Sequence, residues 1–162
     1  MRWLIDPIIF ILPAWASNTT PIFVKKINFL NNPVDFGLSF KGQRIFGDNK
    51  TWRGLISGTL IGTIMALVLG ESIYVGMILG FGALLGDLIG SFTKRRLGLA
   101  PSKPSLLLDQ TPYVIVPILL YKIFYDLPLS MTQVIYLVVI SMVIHRLSNI
   151  IYYKLGIKEV PH

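Results

Sequence analysis

The sequence predicts an all-α polytopic membrane protein with five transmembrane helices and two long cytoplasmic loops. Three observations carry this. Of the 162 residues, 53% are hydrophobic and only 14% charged, where a soluble domain carries about 25% charged residues. Five apolar stretches are each bounded by polar or turn-forming residues. The cations gather in alternate connections, as the positive-inside rule requires. No alternating barrel pattern competes, and helices satisfy every backbone group within a span.

The first span is predicted at roughly 3–24, where Pro7, Pro13 and Pro21 are expected to kink or break it. Asn18, Thr19 and Thr20 are expected to help open its inner end. The second is predicted at roughly 52–69, the third at 73–92, a short fourth at 112–125 and the fifth at 132–153. Gly54, Gly58 and Gly62 form a four-residue row in the second span, and Gly82, Gly86 and Gly90 form another in the third. Such rows let helix backbones approach closely. The length fits one domain, 1–162. The N-terminus does not read as a clear signal peptide, because Asp6, Pro7 and Pro13 interrupt its apolar run.

Loop charge sets the orientation. Lys25, Lys26, Lys41, Arg44, Lys50 and Arg53 lie in segment 22–53, and Lys94, Arg95, Arg96 and Lys103 in segment 94–111. Lys154 and Lys158 follow the last span. Twelve of the fifteen cations therefore fall on one side, the exceptions being Arg2, Lys122 and Arg146. That side is expected to be cytoplasmic, with the N-terminus outside and the C-terminus inside, in the cell membrane. A net charge of +7 suits anionic headgroups or phosphorylated substrates; no nucleic-acid partner is expected.

Cysteine is absent and histidine occurs only twice, which excludes disulfides, thiolate metal sites and a zinc centre. A metal here would take oxygen ligands, which favours magnesium, manganese or calcium. Two carboxylates stand out. Asp87 lies inside the third span, where a charge costs about 2.5–3.5 kcal/mol at the centre. Ser91 and Lys94 share its helix face. Asp109 ends an irregular loop punctuated by Gly98, Pro101 and Pro104, just before the fourth span. Asp87 reads either as a functional site or as an ion pair with another span's cation, such as Arg146. Two carboxylates joined by phosphate oxygens would hold Mg²⁺, with Lys and Arg binding phosphates directly. Metal and cations at a membrane surface point to phosphoryl or nucleotidyl transfer onto a lipid. The stretch FGDNKTWRG, 46–54, reads equally as a cradle for a phosphate or base edge and as an interfacial anchor. It is not a Walker A loop. His145 reads as a helix–helix hydrogen bonder. Arg146 either lines a lipid-phosphate site or snorkels to the interface.

GDLIGSFTKRRLG, LLLDQ and FGDNKTWRG together resemble the cytidylyltransferases that make CDP-activated lipids, above all the archaeal CDP-archaeol synthases. The resemblance covers nearly the whole chain. It implies CTP and an isoprenoid ether-lipid phosphate, 2,3-bis-O-(geranylgeranyl)glycerol 1-phosphate, as substrates, and Mg²⁺ as cofactor. Carried over position by position, it implies Asp87 and Asp109 as metal ligands and catalytic residues, with Lys94. It implies that Ser91, Lys94 and Arg95 contact phosphates, and that Asp48, Asn49, Lys50, Thr51 and Arg53 contact the nucleotide. Two positions depart from the pattern. Pro112 stands where the family often has a further acid, and PSKP, with Lys103 as an added cation for the substrate, stands where a Pro-Gly turn is common. A small transporter and a CTP-dependent polyprenol kinase are the rival readings.

Overall fold

The computed structural model describes residues 2–99 and 105–156, so Lys103, Pro101 and Pro104 lie outside the described residues. Among the described residues six helices form: α1 (Arg2–Val24), α2 (Trp52–Val68), α3 (Ile73–Arg96), α4 (Leu106–Gln110), α5 (Pro112–Phe124) and α6 (Met131–Lys154). One small antiparallel hairpin, β1 (Ser39–Phe40) and β2 (Gln43–Arg44), sits in the loop between α1 and α2. The expectation of an all-α chain omitted it, because two-residue strands carry no periodicity to read.

α1, α3 and α6 are long and apolar enough to cross a membrane. α2 and α5 are apolar but shorter, at 17 and 13 residues. The five predicted stretches all form helices. The third runs further than predicted, to Arg96, so Lys94, Arg95 and Arg96 are helical. α4 occupies the end of the segment predicted as an irregular loop, and only Thr111, itself helical in backbone angle, separates it from α5.

α3 is the central helix, packed against α1, α2, α4 and α5. Its glycine rows face two directions. A Cβ on Gly86 would lie 2.2 Å from the Pro112 carbonyl oxygen, and one on Gly90 2.2 Å from that of Leu108. On α2, a Cβ on Gly58 would lie 2.7 Å from the Ser17 oxygen of α1. Backbone therefore touches backbone on both sides of the bundle. The core holds Ile11, Ala14, Ala83, Tyr113, Val114, Ile118 and Leu137. Polar links cross it: Trp15 Nε1 donates to Ser141 Oγ at 2.9 Å, and Ser17 Oγ to the Gly80 oxygen at 2.8 Å.

Of the two outcomes expected, a kink or a break, α1 shows no break. Pro7, Pro13 and Pro21 all lie inside one continuous helix. Each proline frees the carbonyl four residues earlier, and a neighbouring helix hydrogen-bonds one of these. Gln133 Nε2 of α6 donates to the Trp3 oxygen at 3.1 Å, and the Ser17 oxygen packs on Gly58 of α2. Neighbouring helices commonly re-satisfy membrane prolines in this way. Nor do Thr19 and Thr20 open the helix, since their hydroxyls donate back to the Trp15 and Ala16 oxygens.

Candidate functional site

The site begins with how segment 30–53 is folded. Thr51 caps α2, its side chain accepting from Gly54 N at 3.3 Å. Immediately before it, the backbone pairs with an earlier stretch. Val34 N donates to the Lys50 oxygen at 2.7 Å, Trp52 N to the Asn32 oxygen at 3.1 Å, and Arg53 N to the Leu30 oxygen at 2.9 Å. This pairing lays Lys50 against α3, where its Nζ donates to Asp87 Oδ2 at 2.5 Å. Both side chains keep about a quarter of their surface exposed. They open on a small cleft that Asn49 and Thr51 also line.

The second carboxylate is built from the other direction. Contact at Gly90 seats α4 against α3, which brings Asp109 over Lys94. Lys94 Nζ donates to Asp109 Oδ1 at 2.8 Å. Asp109 Oδ2 accepts from Ser105 N at 2.9 Å. The Lys94 side chain is 8% exposed, so this cation is removed from water and held by its partner. Ser91 is half-buried on the same turn region of α3.

Each of the two predicted carboxylates thus sits in an ion pair with a lysine. The partner of Asp87 is Lys50 of the first loop and not Arg146, because the paired backbone of 30–53 delivers the lysine. Asp109 takes Lys94, which the helical spacing had assigned to the face of Asp87.

The remaining predicted residues make other bonds. Asp48 is largely exposed and pairs with Arg44. Arg53 donates from Nη1 to the Ile27 oxygen and to Asn31 Oδ1. Arg95 is buried, its Nη1 donating to the Leu99 oxygen at 2.7 Å while its Nε has no partner among the described residues.

Sequence reasoning missed Asp35. Its side chain has no exposed surface. Oδ1 accepts from Arg44 Nη2 at 2.5 Å and Gly37 N at 3.1 Å; Oδ2 accepts from Phe46 N at 2.9 Å and Gly47 N at 3.0 Å. Burial pushes its carboxyl up, but the Arg44 guanidinium and three backbone N–H groups outweigh that and hold it well below the usual carboxylate range. Arg44 is pushed further up by the same bonds to Asp35 and Asp48. Arg96 ties this loop to α3, donating to the Phe40, Gln43 and Arg44 oxygens at 2.6, 3.1 and 2.8 Å. The sequence carries no direct signal of Asp35; Gly37 and Gly47, whose N–H groups it accepts, sit at positive φ. These bonds make a closed circuit: α3 holds the loop through Arg96, Asp35 shapes the turn, and Lys50 returns to α3 at Asp87.

Among the described residues no three His, Asp or Glu side chains gather. The donor set is two carboxylates, each with one oxygen engaged by lysine. It fits a hard cation in kind, provided substrate oxygens and water complete the shell.

Fold and site define a membrane-embedded helical enzyme. A solved structure described as an intramembrane enzyme for archaeal membrane lipid biosynthesis is similar, with TM-score 0.79 and 30% identity over 91% of this chain and 94% of that one. The family description "CarS-like: CDP-archaeol synthase" matches residues 1–162. CDP-archaeol synthase of Pyrococcus horikoshii is 37% identical over 99% of this chain and 98% of its own length. That of Methanococcus aeolicus is 40% identical over 97% and 96%, and that of Thermofilum pendens 37% over 94% and 78%. The chain belongs to the CDP-archaeol synthase family.

Proposed function

We propose that the protein transfers CMP from CTP to 2,3-bis-O-(geranylgeranyl)glycerol 1-phosphate. A phosphate oxygen of the lipid forms a bond to the α-phosphorus of CTP, the α–β phosphoanhydride bond breaks, and pyrophosphate leaves with its electron pair. The products are CDP-unsaturated archaeol and pyrophosphate. The observation that carries this reading is the pair of lysine–carboxylate contacts, Lys50–Asp87 and Lys94–Asp109, at one end of an apolar bundle.

The nucleophile is already an anion, so no strong base is needed. The difficulty is charge: two polyanions must meet. Lys50 and Lys94 exchange their carboxylate partners for phosphate oxygens, which suits a group that lysine binds as a point charge. Asp87 and Asp109, released from them, would hold Mg²⁺. When bound, the metal supplies neutralisation of the charge that builds on pyrophosphate. Asn49 and Thr51 contact the nucleotide from the cleft, and Ser91 the phosphates from α3. The roles implied for Asp48, Arg53, Arg95 and Lys103 require them to leave or extend their present bonds as substrate enters. The reading also includes five spans, with α2 and α5 as the two short ones, and a site at the cytoplasmic face of the cell membrane, as loop charge requires.

The experiment is pyrophosphate release by purified protein given CTP, Mg²⁺ and the lipid phosphate, each omitted in turn. Release that needs all three and stops in Asp87→Asn supports the proposal. CDP as the released product would make the protein a kinase. No release from folded protein with any lipid phosphate would remove the transferase reading.

A further inference from the structure

The loop between α1 and α2 has a surface its ion pairs do not explain. Every residue from Lys25 to Asn32 and from Phe36 to Gln43 is exposed. Six of them are large and apolar: Ile27, Phe29, Leu30, Phe36, Leu38 and Phe40. Phe29 and Phe36 are 66% and 67% exposed, more than water-facing aromatics of this size should be. Between Lys25 and Gln43 the sole acid is Asp35, and its side chain is fully buried. The outer face of the loop therefore carries these apolar groups, neutral polar side chains such as Asn28 and Gln43, and the cations Lys25, Lys26 and Lys41, with no exposed carboxylate.

The backbone is held in an uncommon shape to achieve this. Leu30, Phe36 and Lys41 adopt φ values of 49°, 49° and 52°, a region that bulky side chains disfavour. The Asp35 bonds hold the turn, with Phe36 N donating to the Pro33 oxygen at 3.0 Å and Leu38 N to the Asp35 oxygen at 2.8 Å. Strain that persists because the surroundings over-determine it commonly marks a functional surface. Phe36 is turned outward, its ring 6.1 Å from that of Trp52, the first residue of α2.

We propose that segment 25–43 is a membrane-surface platform, docked on the anionic headgroup layer of the bilayer that the helices enter. Both ends of the loop run into apolar helices, so the interface lies beside it. Apolar side chains with flanking lysines and no exposed acid are the composition of an interfacial anchor. The platform and the nucleotide cleft share one turn: Asp35 neighbours the outward Phe36 on one side and binds Gly47 N, at the start of segment 47–50, on the other. Docking thereby sets the cleft at headgroup depth.

The chain has no cysteine, so single-site labels test this directly. Phe36→Cys, Leu38→Cys and Phe29→Cys are each labelled with an environment-sensitive fluorophore, with Asp48→Cys as the reference, in nanodiscs of zwitterionic lipid with or without phosphatidylglycerol. Helical content and monodispersity select folded variants, and any two of the three reporters suffice. Quenching by acrylamide at the reporters should fall at least about threefold below that at position 48 in anionic discs, and a headgroup spin label should quench them. Replacing Lys25, Lys26 and Lys41 together by Gln should remove the difference between anionic and neutral discs. Acrylamide access equal to that at position 48 would overturn the proposal. So would protection that ignores lipid charge, or protection confined to discs holding two copies, which would assign the surface to a second copy.

Discussion

Replacing Asp87 by Asn keeps the side chain's shape and removes its charge. Lys50 then loses its partner and Mg²⁺ its ligand. Turnover should fall by about three orders of magnitude or more, measured as pyrophosphate release, with the thermal midpoint near that of the parent. An unchanged rate would end the role proposed for this carboxylate. Asp35→Asn acts differently, because Asp35 touches no substrate. It removes charge from a carboxylate that accepts four hydrogen bonds. A loss of about 2 kcal/mol in stability is expected, together with faster amide exchange in 44–50 while α3 stays protected. The same group gives a pH dependence. Its folded pKa is depressed below the ordinary 3.8, so its stabilisation is fully present above that value. It is lost progressively as pH falls below 3.8 toward the lower folded value. Acid unfolding of the Asp35→Asn variant should therefore be the shallower, measured against the parent by circular dichroism.

Helix packing sets which glycines tolerate a methyl group. A Cβ at Gly90 meets the Leu108 oxygen at 2.2 Å, whereas at Gly54 the nearest atom is Pro21 Cβ at 3.2 Å. Gly90→Ala should cost about 1–3 kcal/mol and displace α4, lowering turnover as Asp109 leaves Lys94. Gly54→Ala should be mild, and the two midpoints measured in detergent decide it. The element scale is also where the sequence was most legible. Apolar runs located α1, α2, α3, α5 and α6, and the glycine rows announced close approach. Asp87 stood out because a charge inside an apolar run is costly, whereas Asp109 drew notice as the sole acid of its loop and Lys50 only through the motif it shares with the family. The continuity of α1 was not, since nothing local shows that Gln133 of α6 reaches the Trp3 oxygen freed by Pro7. The pairing of Lys94 with Asp109 was not, because one helix face cannot show what α4 brings to it. Asp35 was hidden because nothing in NNPVDFG tells a buried acid from a solvated one.

For the whole molecule, family membership shows an enzyme of the CDP-archaeol synthase kind rather than the rival small transporter. The five-span arrangement is testable with the same cysteine-free chain. Single cysteines at Ser39 and Leu97 should react with an impermeant maleimide from one face of sealed vesicles, and those at Glu71 and Asp126 from the other. Labelling of all four from one face would rule out α2 and α5 as crossings. The two lysine–carboxylate pairs carry a consequence for how the chain is made. In each pair the lysine comes first: Lys50 precedes Asp87, and Lys94 precedes Asp109. A ribosome releases the chain from its N-terminus, so each acid emerges after its counter-ion. Asp87 enters the bilayer with α3 when Lys50 is already waiting at the surface. The order of residues along the gene thus supplies Asp87 and Asp109 each with a neutralising neighbour already made.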